Sequence, residues 1–182
     1  QAGPLREATW AVVGTDGRLA MPLRALRELG VVVRLRSNLE ALARYRHALT
    51  LDNPASALRG KVDVRLHRQK NGGTWAEAVP DGAGGEVVFT AGERLALTVT
   101  NHHDADLYVY ALDFGLTGRI GLLTIAGANE ALQPGGTEEV GMRSALVLQM
   151  PKDFPFVEQP GEASPAEGLE TLRVFAPTAP TD

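Results

Sequence analysis

The sequence predicts a mainly β protein, an antiparallel β-sandwich of the immunoglobulin-like kind with one or two helices in its N-terminal part. Many short segments alternate apolar and polar side chains, and clusters of Gly, Pro, Asn and Asp separate them. One stretch has convincing helical periodicity. We expect a linker and helical segment at residues 1–60 that packs on the sandwich, a sandwich domain at 61–176 and a frayed tail at 177–182.

The stretch Val87–Asp113 is predicted to form the two middle strands. Leu95, Leu97 and Val99 alternate with polar or small residues, as in a strand with one buried face. After a polar turn, Leu107–Leu112 is apolar on both faces, which is typical of a central strand covered on both sides.

The N-terminal residues are predicted to form short elements. The expected elements are strands at Thr9–Val13, Arg18–Met21 and Val31–Leu35, and a short helix through Leu23, Leu26 and Leu29 that ends at Gly30. A longer helix is expected to begin at Ser37, because Ser37 and Glu40 have the spacing of a capping box. Its apolar stripe of Leu39, Leu42, Tyr45, Ala48 and Leu49 indicates a helix docked on a sheet and ending near Thr50.

Further strands are predicted on both sides of the middle pair. Their expected ranges are Lys61–Arg68, Arg119–Ile125, Thr137–Met142, Ser144–Met150 and Leu169–Phe175, of which Ser144–Met150 is predicted to be buried. The glycine-rich segments Asn71–Gly73 and Asp81–Gly85 lack the lysine or the following helix of a phosphate-binding loop, so we predict hairpin tips there.

Composition excludes several classes of function. A net charge of −4 and a pI near 5.6 argue against nucleic acid as a partner. No apolar run approaches the roughly 20 residues of a membrane span. The absence of cysteine excludes disulfides and thiol chemistry but leaves the compartment open, with the cytoplasm favoured.

Gln1 in place of an initiator methionine indicates a fragment, a processed form or a chain trimmed for expression.

Arginines are concentrated before residue 70. They include Arg24, Arg27, Arg34, Arg36, Arg44, Arg46, Arg59, Arg65 and Arg68. Ordinary solvated helix and strand surfaces explain most residues of this kind, and a basic face that binds a partner is the alternative.

The sharpest cluster of candidate metal ligands or acid–base groups is His102, His103 and Asp104, with Asp106 close by. Neighbouring residues of an extended chain point to opposite faces, so the two imidazoles would need a bent turn to reach one ion. We therefore predict a polar hairpin tip with no metal and no cofactor. A small metal-dependent or serine hydrolase using these residues is the alternative. The candidate serines are Ser37, Ser56, Ser144 and Ser164, none of which stands in a Gly-x-Ser-x-Gly elbow.

Three aromatic residues are candidates for an interaction surface. Phe154 and Phe156 lie in the proline-rich, acidic stretch Pro151–Gly168, where they either fold back on the sandwich or contact a partner. Trp75 lies in a glycine-rich loop and is the candidate start of an aromatic platform, which a carbohydrate- or envelope-binding sandwich would need.

Four segments follow one another in a recognisable succession after a linker-like run from Leu39 to Pro54. They are Phe89–Leu95, Leu107–Asp113, Gly118–Leu123 and Leu132–Gly136. Together they resemble the bacterial β-sandwich domain of unknown function found C-terminal to caspase-like (metacaspase-type) peptidases. The chain departs from that pattern at Leu123–Ala126, where members commonly have Tyr-Pro.

The resemblance implies an accessory or regulatory module and not a catalytic one. A peptidase cysteine is excluded because the chain contains no Cys. We expect a non-enzymatic module whose partner is a protein, either the upstream peptidase domain of the same bacterial polypeptide or a separate chain.

Overall fold

The computed structural model describes residues 8–14, 19–80, 85–123, 130–151, 154 and 167–180. Within them the chain is mainly β, with three sheets and one helix. The strands are β1 (Thr9–Trp10), β2 (Arg24–Ala25), β3 (Val62–Gln69), β4 (Trp75–Glu77), β5 (Arg94–Asn101), β6 (Tyr110–Phe114), β7 (Ile120–Leu122), β8 (Thr137–Val140), β9 (Leu146–Val147) and β10 (Thr171–Phe175), and the helix is α1 (Val31–Thr50).

The largest sheet has the order β4-β3-β5-β8, and β9 also pairs with β5. Strand β5 lies in its middle and pairs antiparallel with β3 from Leu95 to Asn101 and with β8 from Leu97 to Thr100. Leu95, Leu97 and Val99 are buried, as predicted, but Ala96 on the opposite face of the strand is fully buried as well, so that face is not exposed along its whole length. Asn71–Gly73 forms the hairpin tip between β3 and β4, as predicted, whereas Asp81–Gly84 lies outside the described residues.

The second sheet has the order β10-β6-β7, so the strand predicted at Leu107–Leu112 is central, but it begins only at Tyr110 and continues to Phe114. The Gly115 N–H donates to the Arg119 carbonyl and the Leu123 N–H donates to the Ala111 carbonyl, which makes the β6–β7 pair antiparallel. One core cluster joins the two sheets, because Leu97 of β5 and Val140 of β8 pack with Ala111 of β6. Leu66, Leu123, Leu146, Leu172 and Val174 pack around it.

Helix α1 begins six residues before the predicted start, at Val31 in place of Ser37. The predicted strand Val31–Leu35 is therefore wrong. Gly30 has the left-handed φ of 74° and caps the helix by backbone alone, and its carbonyl accepts the first helical bond from the Arg34 N–H. The valines suit a strand intrinsically, but their helix penalty is only a few tenths of a kcal/mol each, so continuing hydrogen bonds outweigh it.

Two other short predictions are also wrong. Residues 22–29 hold strand β2 and turns in place of a helix, and β2 pairs with β1 through Thr9 and Ala25. The strand predicted as buried at Ser144–Met150 shortens to β9, in which Val147 is exposed because it lies at a sheet edge.

The chain divides into two compact units. The first contains residues 1–51, 114–120 and 150–171, and the second contains 52–113, 121–149 and 172–182. In the first unit, Tyr45 of α1 meets Phe114 edge to face at 5.5 Å between ring centroids, and its hydroxyl donates to the Phe114 carbonyl at 3.2 Å. In the second unit, the two larger sheets meet at the cluster around Leu97.

Candidate interaction surfaces

The histidine-rich segment forms a closed turn at the end of β5. It is not the predicted hairpin tip, because the next strand, β6, belongs to the other sheet. Asn101 is fully buried, and its Nδ2 donates to the carbonyls of Ala105 and Leu132 at 2.9 Å. Its Oδ1 accepts the His103 N–H at 2.8 Å. The His103 Nδ1 in turn accepts the Ala105 N–H at 3.0 Å. These side chains therefore replace the strand hydrogen bonds that end at Asn101.

This turn does not bring the two imidazoles together as a ligand pair. His102 is exposed, whereas His103 is half-buried with Nδ1 turned to the backbone. Asp104 lies 3.1 Å from that nitrogen, but its side chain is 96% exposed, so water screens the pair. No group of three or more His, Asp or Glu residues suited to a metal ion occurs among the described residues.

None of the candidate serines that the structure describes forms a hydrogen bond with His102 or His103. Ser37 and Ser144 are exposed, and the Ser56 Oγ accepts the Leu58 N–H at 3.2 Å in a turn. Ser164 lies outside the described residues.

Trp75 lies on β4, at the edge of the five-stranded sheet, and not in a loop. It pairs with Gln69, and the Gln69 Oε1 accepts from Arg94 Nη1 at 3.3 Å. Because paired residues of antiparallel strands share a face, Trp75, Gln69 and Arg94 form one row across three strands. The row ends at the exposed Val147 of β9.

Polar side chains fill the rest of the face that contains this row. The Arg65 guanidinium lies 2.8 Å from Asp63 and 3.3 Å from Glu77, and the hydrogen bond and charge of Asp63 raise the pKa of Arg65 above its ordinary value. The His67 Nε2 is 3.0 Å from the Thr98 hydroxyl. His67 therefore lies on the polar side of β3, as its position in the alternation predicts.

Phe154 packs within its own chain. A Cβ built on Gly168 would stand 3.1 Å from the Phe154 ring and 2.5 Å from Leu116 Cδ2, so the ring and Leu116 both lie against the Gly168 backbone. The Phe154 N–H donates to the Pro151 carbonyl at 3.2 Å. The ring is half-buried in the first unit. Phe156 lies outside the described residues, so its predicted role is still a prediction.

An exposed apolar surface that the sequence did not predict lies at the start of α1. Leu29, Val32 and Val33 are 94%, 68% and 69% exposed, and we call these three residues the α1 patch. Val31 between them is buried, and Leu35 and Leu42 continue its inward stripe at spacings of four and seven. Three consecutive valines in a helix cannot all face inward, so some of them must be exposed. The sequence did not indicate this exposure because Val31–Leu35 was predicted to be a strand.

Arginines follow the α1 patch along the helix. Arg34 pairs with Glu28 at 2.7 Å and Arg36 pairs with Glu40 at 2.8 Å. The Arg44 Nε donates to the Glu40 carbonyl at 3.3 Å. All of these arginines are exposed, so the outward face of the helix combines aliphatic and cationic groups.

In comparisons with known proteins, no family model, no curated protein and no solved structure matches this chain. Among the described residues, no helix has the length and apolar character needed to cross a membrane.

Proposed function

We propose that this chain is a non-catalytic accessory module, an immunoglobulin-like β-sandwich, that binds a protein surface within a larger bacterial polypeptide and regulates a caspase-like peptidase domain there. The observation on which this proposal rests is the α1 patch. Exposed aliphatic side chains at neighbouring positions are a feature of protein interfaces. Leaving each of the three in water forgoes about 1.5–3 kcal/mol that burial would supply.

The sandwich part of the proposal is supported by the core of the second unit. Leu97 and Val140 come from the five-stranded sheet, and Ala111 comes from the three-stranded sheet. Shared packing of this kind is what two sheets stacked face to face produce. The peptidase part is supported by the resemblance of Phe89–Leu95 and Leu107–Asp113 to the domain that follows caspase-like peptidases.

Site-specific photo-crosslinking in the complete polypeptide tests this function. A benzoylphenylalanine in place of Val33 should form a crosslink to a caspase-like domain, and the same group in place of the exposed Glu77 on the five-stranded sheet should not. Val33→Asp should change the peptidase rate several-fold, because one buried aliphatic contact is worth about tenfold in binding. A reading frame without such a domain, or equal crosslinking from both positions, would contradict the proposal.

One observation favours a second candidate function, binding of a carbohydrate or of the cell envelope. The row of Trp75, Gln69 and Arg94 places an aromatic ring beside an amide and a guanidinium on one sheet face, and sugars are commonly bound by a ring and convergent polar groups. In a Trp10→Phe background Trp75 is the sole tryptophan. Its fluorescence should then change on titration with soluble peptidoglycan fragments if this function holds. An unchanged signal would exclude these ligands.

A further inference from the structure

We infer that the α1 patch and its arginines bind an acidic amphipathic helical segment of the partner. This inference rests on the proposed function and specifies the partner surface. Aliphatic side chains of that segment would cover Leu29, Val32 and Val33, and its carboxylates would face Arg36 and Arg44.

The apolar and basic groups share the outward side of α1. Residues three and four apart lie on one face of a helix. Val33 is therefore followed on its own face by Arg36 and Glu40 and then by Arg44, all of which are exposed. The half-buried Leu42 and Tyr45 lie on the opposite side. A helix laid along this side would meet aliphatic groups at one end and guanidinium groups over the next two turns.

The charge of α1 selects an acidic partner. The helix contains Arg34, Arg36, Arg44 and Arg46, and Glu40 is its sole acidic residue. Its ion pairs are exposed, so each stabilises the fold by at most about 1 kcal/mol and can exchange for a partner carboxylate at little cost. Complementary charge of this kind contributes specificity and association rate.

The stability of the isolated helix does not explain the positions of all these arginines along α1. Cations stabilise the C-terminal turns of a helix, which explains Arg44 and Arg46, but they oppose the positive N-terminal end, where Arg34 lies. The first turn of α1 contains no acidic residue, and its cap Gly30 supplies no side-chain acceptor. Glu28 already pairs with Arg34, so a partner carboxylate near this end would chiefly complement the helix dipole.

Two other occupants fit the surface less well. A second copy of the chain docked through the same face would oppose arginine to arginine, which like-charge repulsion disfavours. An anionic lipid surface would satisfy the arginines, but interfacial helices commonly present Trp or Phe to the membrane. The aromatic residue of α1, Tyr45, lies on the inward side with its hydroxyl on the Phe114 carbonyl.

Paired synthetic peptides test the inference with the full chain. One 18-residue helical peptide has leucine at its a and d positions and glutamate at the exposed positions, and its twin has lysine in place of glutamate. By calorimetry we expect the glutamate peptide to bind at least tenfold more tightly than the lysine peptide and to weaken as salt is added. Amide chemical shifts should change at Leu29, Val32 and Val33.

Variants locate the binding surface. Val33→Asp should weaken binding of the glutamate peptide by about tenfold or more, and Arg36→Glu should reduce the preference for glutamate over lysine. Val79, which is 70% exposed and lies in the second unit, is the matched control, and Val79→Asp should leave binding unchanged.

Equal binding of both peptides, or unchanged binding in Val33→Asp, would overturn the inference. So would binding to phosphatidylglycerol vesicles in place of the peptide, or a dimer in sedimentation that Val33→Asp dissociates. If the glutamate peptide does not bind while Val33 still crosslinks to a caspase-like domain, the acidic chemistry is wrong and the proposed function stands. If both experiments fail, both are wrong.

Discussion

At the scale of single residues, Asn101 has the largest structural role in the segment that the sequence marked as a candidate site. It is fully buried and forms hydrogen bonds with three backbone groups, belonging to His103, Ala105 and Leu132. A buried side chain with this many backbone partners specifies one turn conformation, because its hydrogen bonds hold all three backbone groups in fixed positions. The neighbouring histidines therefore lie on a turn whose conformation is set by the hydrogen bonds of Asn101.

Replacing Asn101 with Ala should therefore destabilise the protein far more than replacing its exposed neighbour. We expect a loss of about 2–4 kcal/mol in the free energy of unfolding, because three hydrogen bonds are lost: the Ala105 carbonyl and the His103 N–H lose Asn101 as a partner, and the Leu132 carbonyl keeps only the Leu107 N–H. His102→Ala should change it by no more than about 0.5 kcal/mol. Urea denaturation measures both values, and equal midpoints for the two variants would contradict the role assigned to Asn101.

His103 should likewise behave as a turn residue. His103→Ala removes the acceptor of the Ala105 N–H and should cost about 1 kcal/mol of unfolding free energy. Zinc titrations of the wild-type chain and of this variant should give the same result, with no added stability in either. Zinc-dependent stabilisation that disappears with His103→Ala would support the hydrolase alternative.

At the scale of elements, the turn from β8 to β9 depends on Gly141. Its φ is 85°, and an added Cβ would stand 3.1 Å from Leu146 Cγ and 3.2 Å from the Leu95 carbonyl oxygen. The left-handed backbone and the close approach of β5 both require glycine here. β9 can pair with β5 only because this residue has no side chain.

Gly135 provides a matched comparison for Gly141. It also has a left-handed φ, of 74°, but an added Cβ there meets no atom within 4 Å. Gly135→Ala should cost only the backbone strain of about 1–2 kcal/mol. Gly141→Ala should cost about 1–3 kcal/mol more, because the methyl group overpacks the sheet. Thermal unfolding of the two variants measures this difference, and equal melting temperatures would show that space at Gly141 is unimportant.

Strands in which apolar and polar residues alternate strongly could be predicted from the sequence. Segments whose local preference competes with longer-range hydrogen bonding could not. β3 and β5 follow from the spacing of Val62, Val64, Leu95 and Leu97. The start of α1 was missed because Val31–Val33 favours a strand locally and Ser37 imitates a cap, while helical hydrogen bonds from Gly30 onward prevail. The α1 patch was missed for the same reason, since its exposure depends on the helical state of two valines.

At the scale of the whole molecule, the chain crosses between its two units repeatedly. Residues 114–120 and 150–171 belong with the N-terminal residues 1–51, although they follow large parts of the second unit in sequence. Neither unit is therefore one continuous segment, and the first unit cannot be removed by cutting the chain once. Phe114, which is fully buried, receives the Tyr45 ring from the N-terminal segment.

A chain that begins at Asp52, and so lacks α1, should accordingly be less stable than the full chain. Without α1, Phe114 loses the Tyr45 ring and its carbonyl loses a hydrogen bond, so we expect a lower melting temperature and binding of the dye ANS. In the full chain, Tyr45→Ala should cost about 3–5 kcal/mol and Tyr45→Phe only about 1 kcal/mol. A truncated chain that melts like the full chain and binds no dye would contradict the division into units.

The interleaving of the two units also sets an order of events during synthesis on the ribosome. Helix α1 is complete once residue 50 has emerged, but its unit also needs residues 150–171. At about 5–20 residues per second, the 121 residues from 51 to 171 take roughly 6–24 s to translate. For that interval the nascent helix exposes its inward stripe as well as the α1 patch, so a chaperone can bind it before its unit is complete.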